Sequence, residues 1–217
     1  MDHIVVDVEI QKCIEETPDG WDATDKLGVA VACVWEYQTQ RMRIYGPDDL
    51  PALRERLLEA DRVSGFNIWN FDFAVVWGIS KRNWMTLGNS QPASDAQAIR
   101  MALYYKTDDM LRRIWQAKGL NPDQFDPKTH GGVRLDVVAS ATIGASAPCP
   151  IFDAPKWYQA GLIQKVVNYC ADNVAMERDL TDFVDRYGYV LVGSKDNQGY
   201  AIHGNKKLNL PKWKGSA

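Results

Sequence analysis

Apolar and polar positions alternate most clearly at residues 4–10, where apolar side chains surround Asp7 and Glu9. This pattern predicts a β-strand, and strand side chains two residues apart share a face, so Asp7 and Glu9 point the same way. Two ionised carboxylates near a core repel each other and lose hydration, and they are tolerated only if paired, protonated or bridged by a metal. A strand that ends near residue 7, with both acids in solvent, is the alternative.

The same patterning predicts the remaining elements and indicates an α/β protein. We expect strands at residues 28–37, 41–45 and 62–66, the first two as a hairpin. We expect helices that open at Pro47 and Asp108, and further helices at about 70–80, 93–105, 135–142 and 157–186. The expected loops are 84–92, 121–132 and 144–155, and a closing hairpin is expected to pair residues 190–192 with 199–202.

Length and composition favour one globular domain that spans residues 1–217, with a basic C-terminal tail at about 203–217. A hydrophobic content of 46% and a charged content of 24% are typical of soluble proteins. No apolar run approaches the ~18 residues of a membrane helix, and the acidic start lacks a signal-peptide profile, so no membrane association is expected. The four cysteines show neither metal-type spacing nor a dense disulfide pattern, which favours a cytoplasmic location.

The net charge of −3 argues against a large nonspecific nucleic-acid binder. Carboxylates that serve cations would, however, lower the formal charge without lowering that of the metal-loaded surface. The basic tail, with one aromatic at Trp213, fits either contact with a phosphate backbone or a solubilising end.

A second candidate cluster lies at residues 65–73, where Asp72 follows a short predicted strand and starts a helix. A favourable interaction with the helix dipole accounts for Asp72 by itself. The same placement would let Asp72 face the acids of the first strand if the two strands are neighbours. Asn67, just past the strand, suits an amide that binds substrate, while Trp69 and Phe71 are either core residues or aromatics that stack on a nucleobase.

A third cluster lies on the predicted late helix, where Tyr169 and Asn173 are four residues apart and therefore neighbours on one face. A core tyrosine on an amphipathic helix is the plain alternative. Together the acid-x-acid strand, the Asn-x3-Phe-Asp segment and the Tyr-Cys-x2-Asn-Val helix resemble the three exonuclease motifs of the DEDD superfamily. Tyrosine at position 169, rather than histidine, is similar to the DEDDy branch, and residues 129–180 also resemble ribonuclease-H-like exonucleases found alone or beside helicases.

The resemblance implies a ribonuclease-H-like fold, with a mixed central sheet flanked by helices, and metal-dependent 3′→5′ exonuclease activity. The expected partner is nucleic acid with a free 3′ end, single-stranded, and DNA rather than RNA. The resemblance also implies two Mg²⁺ or Mn²⁺ ions held by Asp7, Glu9, Asp72 and position 173. Tyr169 would orient the attacking water.

The resemblance further implies a pocket for the unpaired 3′ nucleotide, and the residues expected to form it are Asn67 and the aromatics that follow it, Trp69 and Phe71. His130 in the 121–132 loop is left outside the expected catalytic set, because a lone loop histidine is more often uninvolved.

One position departs from the family pattern, because the fourth metal-binding acid is replaced by Asn173. We expect this substitution, engineered or natural, to attenuate activity or abolish it. Asp172 is adjacent, but one helical step turns a side chain by about 100°, so Asp172 would serve only if the helix were distorted. The alternatives to an exonuclease are an inactive module that binds 3′ ends and an endonuclease of ribonuclease H type.

Overall fold

Five strands form the central sheet of the protein, in the order β3-β2-β1-β4-β5. The computed structural model describes residues 1–86, 95–124, 133–145, 153–193, 206–213 and 215. The strands are β1 (His3–Ile10), β2 (Val29–Glu36), β3 (Arg41–Tyr45), β4 (Arg62–Gly65) and β5 (Thr107–Asp109). Strands β1, β2 and β3 pair antiparallel, whereas β4 pairs parallel with β1 and β5 pairs parallel with β4. The sheet is therefore mixed, which confirms the predicted fold class and is consistent with a ribonuclease-H-like fold.

Helices flank this sheet on both faces. They are α1 (Thr24–Leu27), α2 (Leu50–Glu59), α3 (Asp72–Trp77), α4 (Lys81–Thr86), α5 (Asp95–Tyr104), α6 (Met110–Ala117), α7 (Leu135–Ile143), α8 (Ala154–Gln159) and α9 (Ile163–Tyr187). Short 3₁₀ turns lie at Ile14–Glu16, Gly20–Asp22 and Pro47–Asp49, and a small second sheet pairs β6 (Tyr189–Val192) with β7 (Lys206–Asn209). None of the described helices is long and apolar enough to cross a membrane.

Strand β1 separates two cores, because its side chains alternate between the two faces of the sheet. Its even-numbered apolar residues, from Ile4 to Ile10, pack in one cluster with Leu53 of α2 and Phe73 of α3. On the opposite face, Val5 packs in a second cluster with Val166 and Cys170 of α9. The odd positions of β1 therefore face α9.

Several predicted elements need correction. Strand β5 was missed, and residues 84–86, expected in a loop, belong to α4. The expected helix at 157–186 consists of α8 and α9, separated at Gly161, whose φ of 74° is disfavoured for residues with a Cβ. The described partner of β6 is β7, while residues 199–202 lie outside the described residues, as do His130 and most of the 121–132 loop.

The C-terminal segment is not simply a solubilising end, because its described part packs onto the fold. Leu210 and Trp213 are buried, and the guanidinium of Arg62 lies 5.0 Å from the centre of a Trp213 ring. Burial of these two apolar side chains holds the segment against the body of the protein.

A buried set of ion pairs lies near the first residue of β4, and we call it the arginine network (Arg62, Asp108, Arg113 and Asp185). Arg62 donates to both oxygens of Asp185, at 2.6 and 2.8 Å, and forms an ion pair with Asp108. Arg113 completes the set with a 3.0 Å hydrogen bond to Asp108. Asp108 is fully buried, and two arginines compensate its charge.

Candidate metal centre

Asp7 and Glu9 lie on the face of β1 that is covered by α9, as their spacing predicts. Their neighbour Val5 belongs to the core cluster on that face, and the Cys170 thiol of α9 lies 3.3 Å from the Asp7 carbonyl oxygen. Glu9 is buried and Asp7 is half-buried. The alternative in which β1 ends near residue 7 is wrong, because β1 continues to Ile10.

Asp72 is the first residue of α3 and is held against β1. Its Oδ1 accepts a 3.0 Å hydrogen bond from the Val8 backbone N–H, and the carboxylate is buried. Strands β1 and β4 are parallel neighbours, so the chain that leaves β4 reaches α3 beside the C-terminal half of β1. This arrangement brings Asp72 to Asp7 and Glu9.

Helix α9 presents Asn173 to the two acids of β1. The Asn173 amide nitrogen lies 3.3 Å from Asp7 Oδ2 and 3.3 Å from Glu9 Oε1, so the amide bridges the two carboxylates. Tyr169, one turn earlier, is buried with its ring 5.7 Å from that of Trp157, and it lines the same cleft. Asp172 is exposed and lies outside the cleft lining, so the alternative in which it replaces residue 173 is wrong.

A cleft of about 430 Å³ contains these groups, and we call it the carboxylate cleft. Among its lining residues are five of the predicted site residues, Asp7, Glu9, Asp72, Tyr169 and Asn173. The structure therefore brings the three sequence motifs together in one concave site.

Of the three predicted substrate-binding residues, Asn67 and Phe71 line the cleft and Trp69 does not. Trp69 is 1% exposed and packs against the rings of Trp84 and Tyr104, at 5.6 and 5.3 Å. A side chain enclosed in this way has no free face for a nucleobase. The structure thus corrects the expectation for Trp69, which is a core residue.

Asn67 has an unusual backbone conformation, with a φ of 69°. A buried acid of β5, Asp109, holds this turn by accepting hydrogen bonds from the N–H groups of Asn67 and Trp69, at 2.9 and 3.0 Å. Asp109 also caps α6, as expected for an acid at that helix start. The position of Asn67 at the cleft is therefore set by β5, a strand that the sequence did not reveal.

Among the cleft residues that the sequence analysis missed are Glu177 and Trp21. Glu177 follows Asn173 by four residues, so helical spacing could have placed it on the same face. Trp21 is 49% exposed and its ring lies 5.7 Å from that of Phe71, edge to face. It belongs to a polar, turn-rich segment that carries no periodic signal of its own.

Burial disfavours the ionised forms of the cleft acids. It raises the pKa of Glu9 and of Asp72 well above the usual values, and the nearby charge of Asp7 raises both further. Burial likewise raises the pKa of Asp7, although hydrogen bonds from Asn173 and other groups oppose this. The pKa of Glu177 is raised well above its usual value by burial, then by Asp7 and Asp72. Within the described ranges, no lysine or arginine forms an ion pair with these four acids.

The donor set fits a hard divalent cation. One ligand atom each from Asp7, Glu9 and Cys170 lie within 4.8 Å of one another. Burial raises the pKa of the Cys170 thiol well above its usual value, so the sulfur stays protonated and is a poor ligand. The remaining donors are carboxylate oxygens, the ligands that Mg²⁺ and Mn²⁺ prefer.

Comparison with known proteins supports the fold alone. No protein-family model and no curated protein matches this chain. Among solved structures, the chain is similar to the family B DNA polymerase of the hyperthermophilic archaeon Pyrobaculum calidifontis, with a TM-score of 0.51 and 17% identity. The match covers 85% of this chain but 24% of the polymerase, so the chain corresponds in fold to a part of that protein.

Proposed function

We propose that this protein is a metal-dependent 3′→5′ exonuclease of the DEDDy type, which hydrolyses nucleotides from the 3′ end of single-stranded DNA. The observation that carries the proposal is the meeting of Asp7, Glu9 and Asp72 with Tyr169 in one cleft, without a described cationic partner. Buried acids without cations require either protons or metal ions. Similarity in fold to part of a DNA polymerase supports a nucleic-acid substrate.

In this proposal the carboxylates of Asp7, Glu9 and Asp72 hold two Mg²⁺ or Mn²⁺ ions at the C-terminal half of β1. Such ions supply activation of water at neutral pH and stabilisation of the charge on the leaving 3′ oxygen. The Asp72 carboxylate is held in place without an ion, because its Oδ1 accepts the hydrogen bond from the Val8 N–H. Tyr169 would contribute its hydroxyl, which orients the attacking water.

The terminal nucleotide would occupy the part of the carboxylate cleft lined by Asn67, Phe71 and Trp21. The half-exposed Trp21 offers a ring face at this cleft, and stacking of a base on an aromatic contributes about 1–3 kcal/mol. The cleft volume of about 430 Å³ lies within the usual range of small-ligand pockets. Asn67 adds an amide for hydrogen bonding to the sugar or the base.

Asn173 makes the site less acidic than the family pattern, because an amide contributes an oxygen ligand but no charge. We expect the chain as it stands to cleave slowly in Mg²⁺ and faster in Mn²⁺. Asn173→Asp should raise the rate in Mg²⁺ by about tenfold or more, the scale on which changes to a metal-binding shell act.

A second candidate function is an inactive module that grips 3′ ends, and one observation favours it. The Asn173 amide nitrogen donates to both Asp7 and Glu9, so it lies between the two carboxylates that a cation would bridge. In that case the acids are already partly satisfied, and the cleft retains only its binding role.

A nuclease assay with 5′-labelled oligonucleotides distinguishes these functions. The substrates are single-stranded DNA, duplex DNA and RNA, each with a free or a blocked 3′ end. Each substrate is incubated in Mg²⁺ or Mn²⁺ with the natural chain, with Asn173→Asp or with Asp72→Asn. A ladder that shortens from a free 3′ end and stalls at a blocked one supports the proposal. Internal cuts in blocked substrates indicate an endonuclease, and a mobility shift without cleavage, even by Asn173→Asp, indicates a binding module.

A further inference from the structure

Glu177 is the cleft residue whose environment is least explained by packing. It follows Tyr169 by two helical turns and Asn173 by one, so the three side chains form a row along α9, with steps of about 6 Å between turns. Glu177 is 3% exposed, and it lines the carboxylate cleft. A glutamate at such a depth needs partners for both oxygens.

Only one of these oxygens has a partner among the described residues. Oε1 accepts a 3.1 Å hydrogen bond from the Phe66 N–H at the end of β4. Oε2 is buried and has no hydrogen-bond partner in the described part of the chain. A neutral glutamine would serve Phe66 equally well through its amide oxygen, so this hydrogen bond does not explain a charged group.

Gly65, the last residue of β4, lies close to Val6 of β1 and to Ile68. A Cβ atom at this position would overlap Ile68 Cγ2 and would lie 2.7 Å from the Val6 carbonyl oxygen, so any larger residue would clash with both. The same Cβ would only be in ordinary contact with Glu177 Oε2, at 3.4 Å. Glu177 Oε2 therefore lies beside the end of β4, next to the strand that carries Asp7.

The charges around Glu177 do not stabilise it. Asp7, Asp72 and Asp109 are the acids that act on it electrostatically, and no described arginine or lysine pairs with it. A fourth negative group beside these acids increases repulsion unless a cation enters.

From this geometry we propose that Glu177 supplies the fourth carboxylate ligand of the divalent-cation site, one helical turn from the amide of Asn173. The inference rests on the cation site of the proposed function and assigns one of its ligands. The fourth carboxylate has moved along α9 instead of disappearing, and the longer glutamate side chain compensates for part of the displacement. The cation site then contains four acids, Asp7, Glu9, Asp72 and Glu177, with Asn173 as a neutral donor between them.

Mn²⁺ binding by the full chain, after removal of metals, tests this assignment independently of cleavage. Free Mn²⁺ is followed by electron paramagnetic resonance during titration of the natural chain, Glu177→Gln, Asp172→Asn and Asp72→Asn. Glu177→Gln keeps the hydrogen bond to Phe66 and removes only the charge. Asp172→Asn makes the same charge change at an exposed position five residues earlier on α9.

Glu177→Gln is expected to weaken Mn²⁺ binding by at least tenfold, Asp72→Asn by at least as much, and Asp172→Asn by less than twofold. Without metal, Glu177→Gln should melt at a higher temperature than the natural chain, because a repulsive buried charge has been removed. Addition of Mn²⁺ should then raise its melting temperature less. If Glu177 served packing alone, Glu177→Gln would not melt at a higher temperature than the natural chain without metal. Mn²⁺ would then raise the melting temperatures of both forms equally.

The double variant Asn173→Asp/Glu177→Gln sharpens the test. Asn173→Asp should strengthen Mn²⁺ binding more in the Glu177→Gln background than in the natural chain, since either residue can provide the fourth charge. Equal Mn²⁺ affinity of Glu177→Gln and the natural chain, with weaker binding by Asp72→Asn, overturns the assignment and leaves the cation site standing. Absence of Mn²⁺ binding in every form overturns both. Binding that depends on Glu177, without cleavage of any oligonucleotide, supports the assignment and removes the nuclease proposal.

Discussion

The carboxylate cleft and the arginine network are two groups of buried acids that lie toward opposite ends of the parallel strands β1 and β4. In the network, Asp108 is fully buried, and Arg62 and Arg113 both hold it. In the cleft, Asp72 and Glu177 are about as deeply buried, but the charged groups that raise their pKa values are other acids, and no described cation forms an ion pair with them. The two regions therefore differ in partners rather than in burial.

This difference teaches how to separate structural acids from functional ones in a single fold. An acid with a buried arginine is satisfied within the chain, and its charge supports folding once both partners are in place. An acid without such a partner makes the folded chain less stable at neutral pH unless a ligand binds. Neutralising one carboxylate should accordingly have opposite effects on stability in the two regions.

The largest effect is expected from removing the central cation of the network. Arg62→Met leaves Asp108 and Asp185 without their main partner and should lower the free energy of unfolding by about 3–5 kcal/mol. Urea denaturation followed by circular dichroism measures the change. Lys26→Met is the matched control, because the Lys26 side chain is 50% exposed and its ion pair in the described structure is with the exposed Asp19, so its effect should be within about 0.5 kcal/mol. Equal stability of Arg62→Met and the natural chain would show that the network does not contribute.

His3 should make the network end of the sheet sensitive to acid. Burial first, and then Arg62, lower the pKa of His3 to about 4, against the weaker opposing effects of Asp108, Asp185 and Asp2. The folded chain therefore binds the proton less tightly than the unfolded chain, and stability is lost as pH falls from about 6.5 towards 4. The loss should reach about 2–3 kcal/mol at the lower limit. His3→Gln should reduce the slope of the unfolding free energy in this window, and an unchanged slope would contradict the assignment.

Neutralising an acid of the cleft should stabilise the metal-free chain. The folded pKa of Asp72 lies above its unfolded value, so the folded chain binds the proton more tightly and stability is lost as pH rises above about 4. Asp72→Asn keeps an oxygen for the Val8 N–H and should raise the unfolding free energy at pH 8 in EDTA. Asp108→Asn, the same exchange in the network, should lower it. If both variants change the unfolding free energy in the same direction, the cleft and the network do not differ in the way described.

The smallest effect is expected at the outer edge of the network. The Asp185 side chain is 42% exposed, so water screens much of the attraction between its carboxylate and Arg62. Asp185→Asn should lower the unfolding free energy by less than about 1 kcal/mol, and added salt should shrink the difference further. Measurement of the unfolding free energy in low and high NaCl checks this. A loss as large as that of Arg62→Met would show that solvent does not screen the ion pair between Asp185 and Arg62.

Strands and helices with a strong apolar pattern were predictable from the sequence, whereas short polar elements were not. Strands β1 to β3 consist of alternating or continuous apolar runs, and their bounds agree with expectation to within one or two residues. Strand β5 has three residues, Thr107 to Asp109, and two of them are acids. It is buried because Asp108 binds arginines and Asp109 binds backbone N–H groups, which are tertiary contacts that no local pattern reports.

The candidate site shows the same division. The resemblance of three motifs to the DEDD exonucleases implied that Asp7, Glu9, Asp72, Tyr169 and Asn173 lie together, and the structure places all five in the carboxylate cleft. Trp69 was misjudged because the alternation of aromatics near residue 70 does not tell which ring faces the core. Glu177 was overlooked although it continues the row on α9, since the role proposed for it depends on Oε2, which has no hydrogen-bond partner among the described residues, and not on its spacing.

Asp109 also determines when the cleft wall around residue 67 can form during synthesis of the chain. Its carboxylate accepts hydrogen bonds from Asn67, Trp69, Leu111 and Arg112, at 2.9 to 3.3 Å. The first two donors are made some forty residues before their acceptor. While Asp109 is still inside the ribosome, the turn at Asn67 lacks the bonds that hold its left-handed backbone. Because synthesis proceeds at about 5–20 residues per second, the cleft wall around residue 67 stays unfinished for seconds after its own residues emerge.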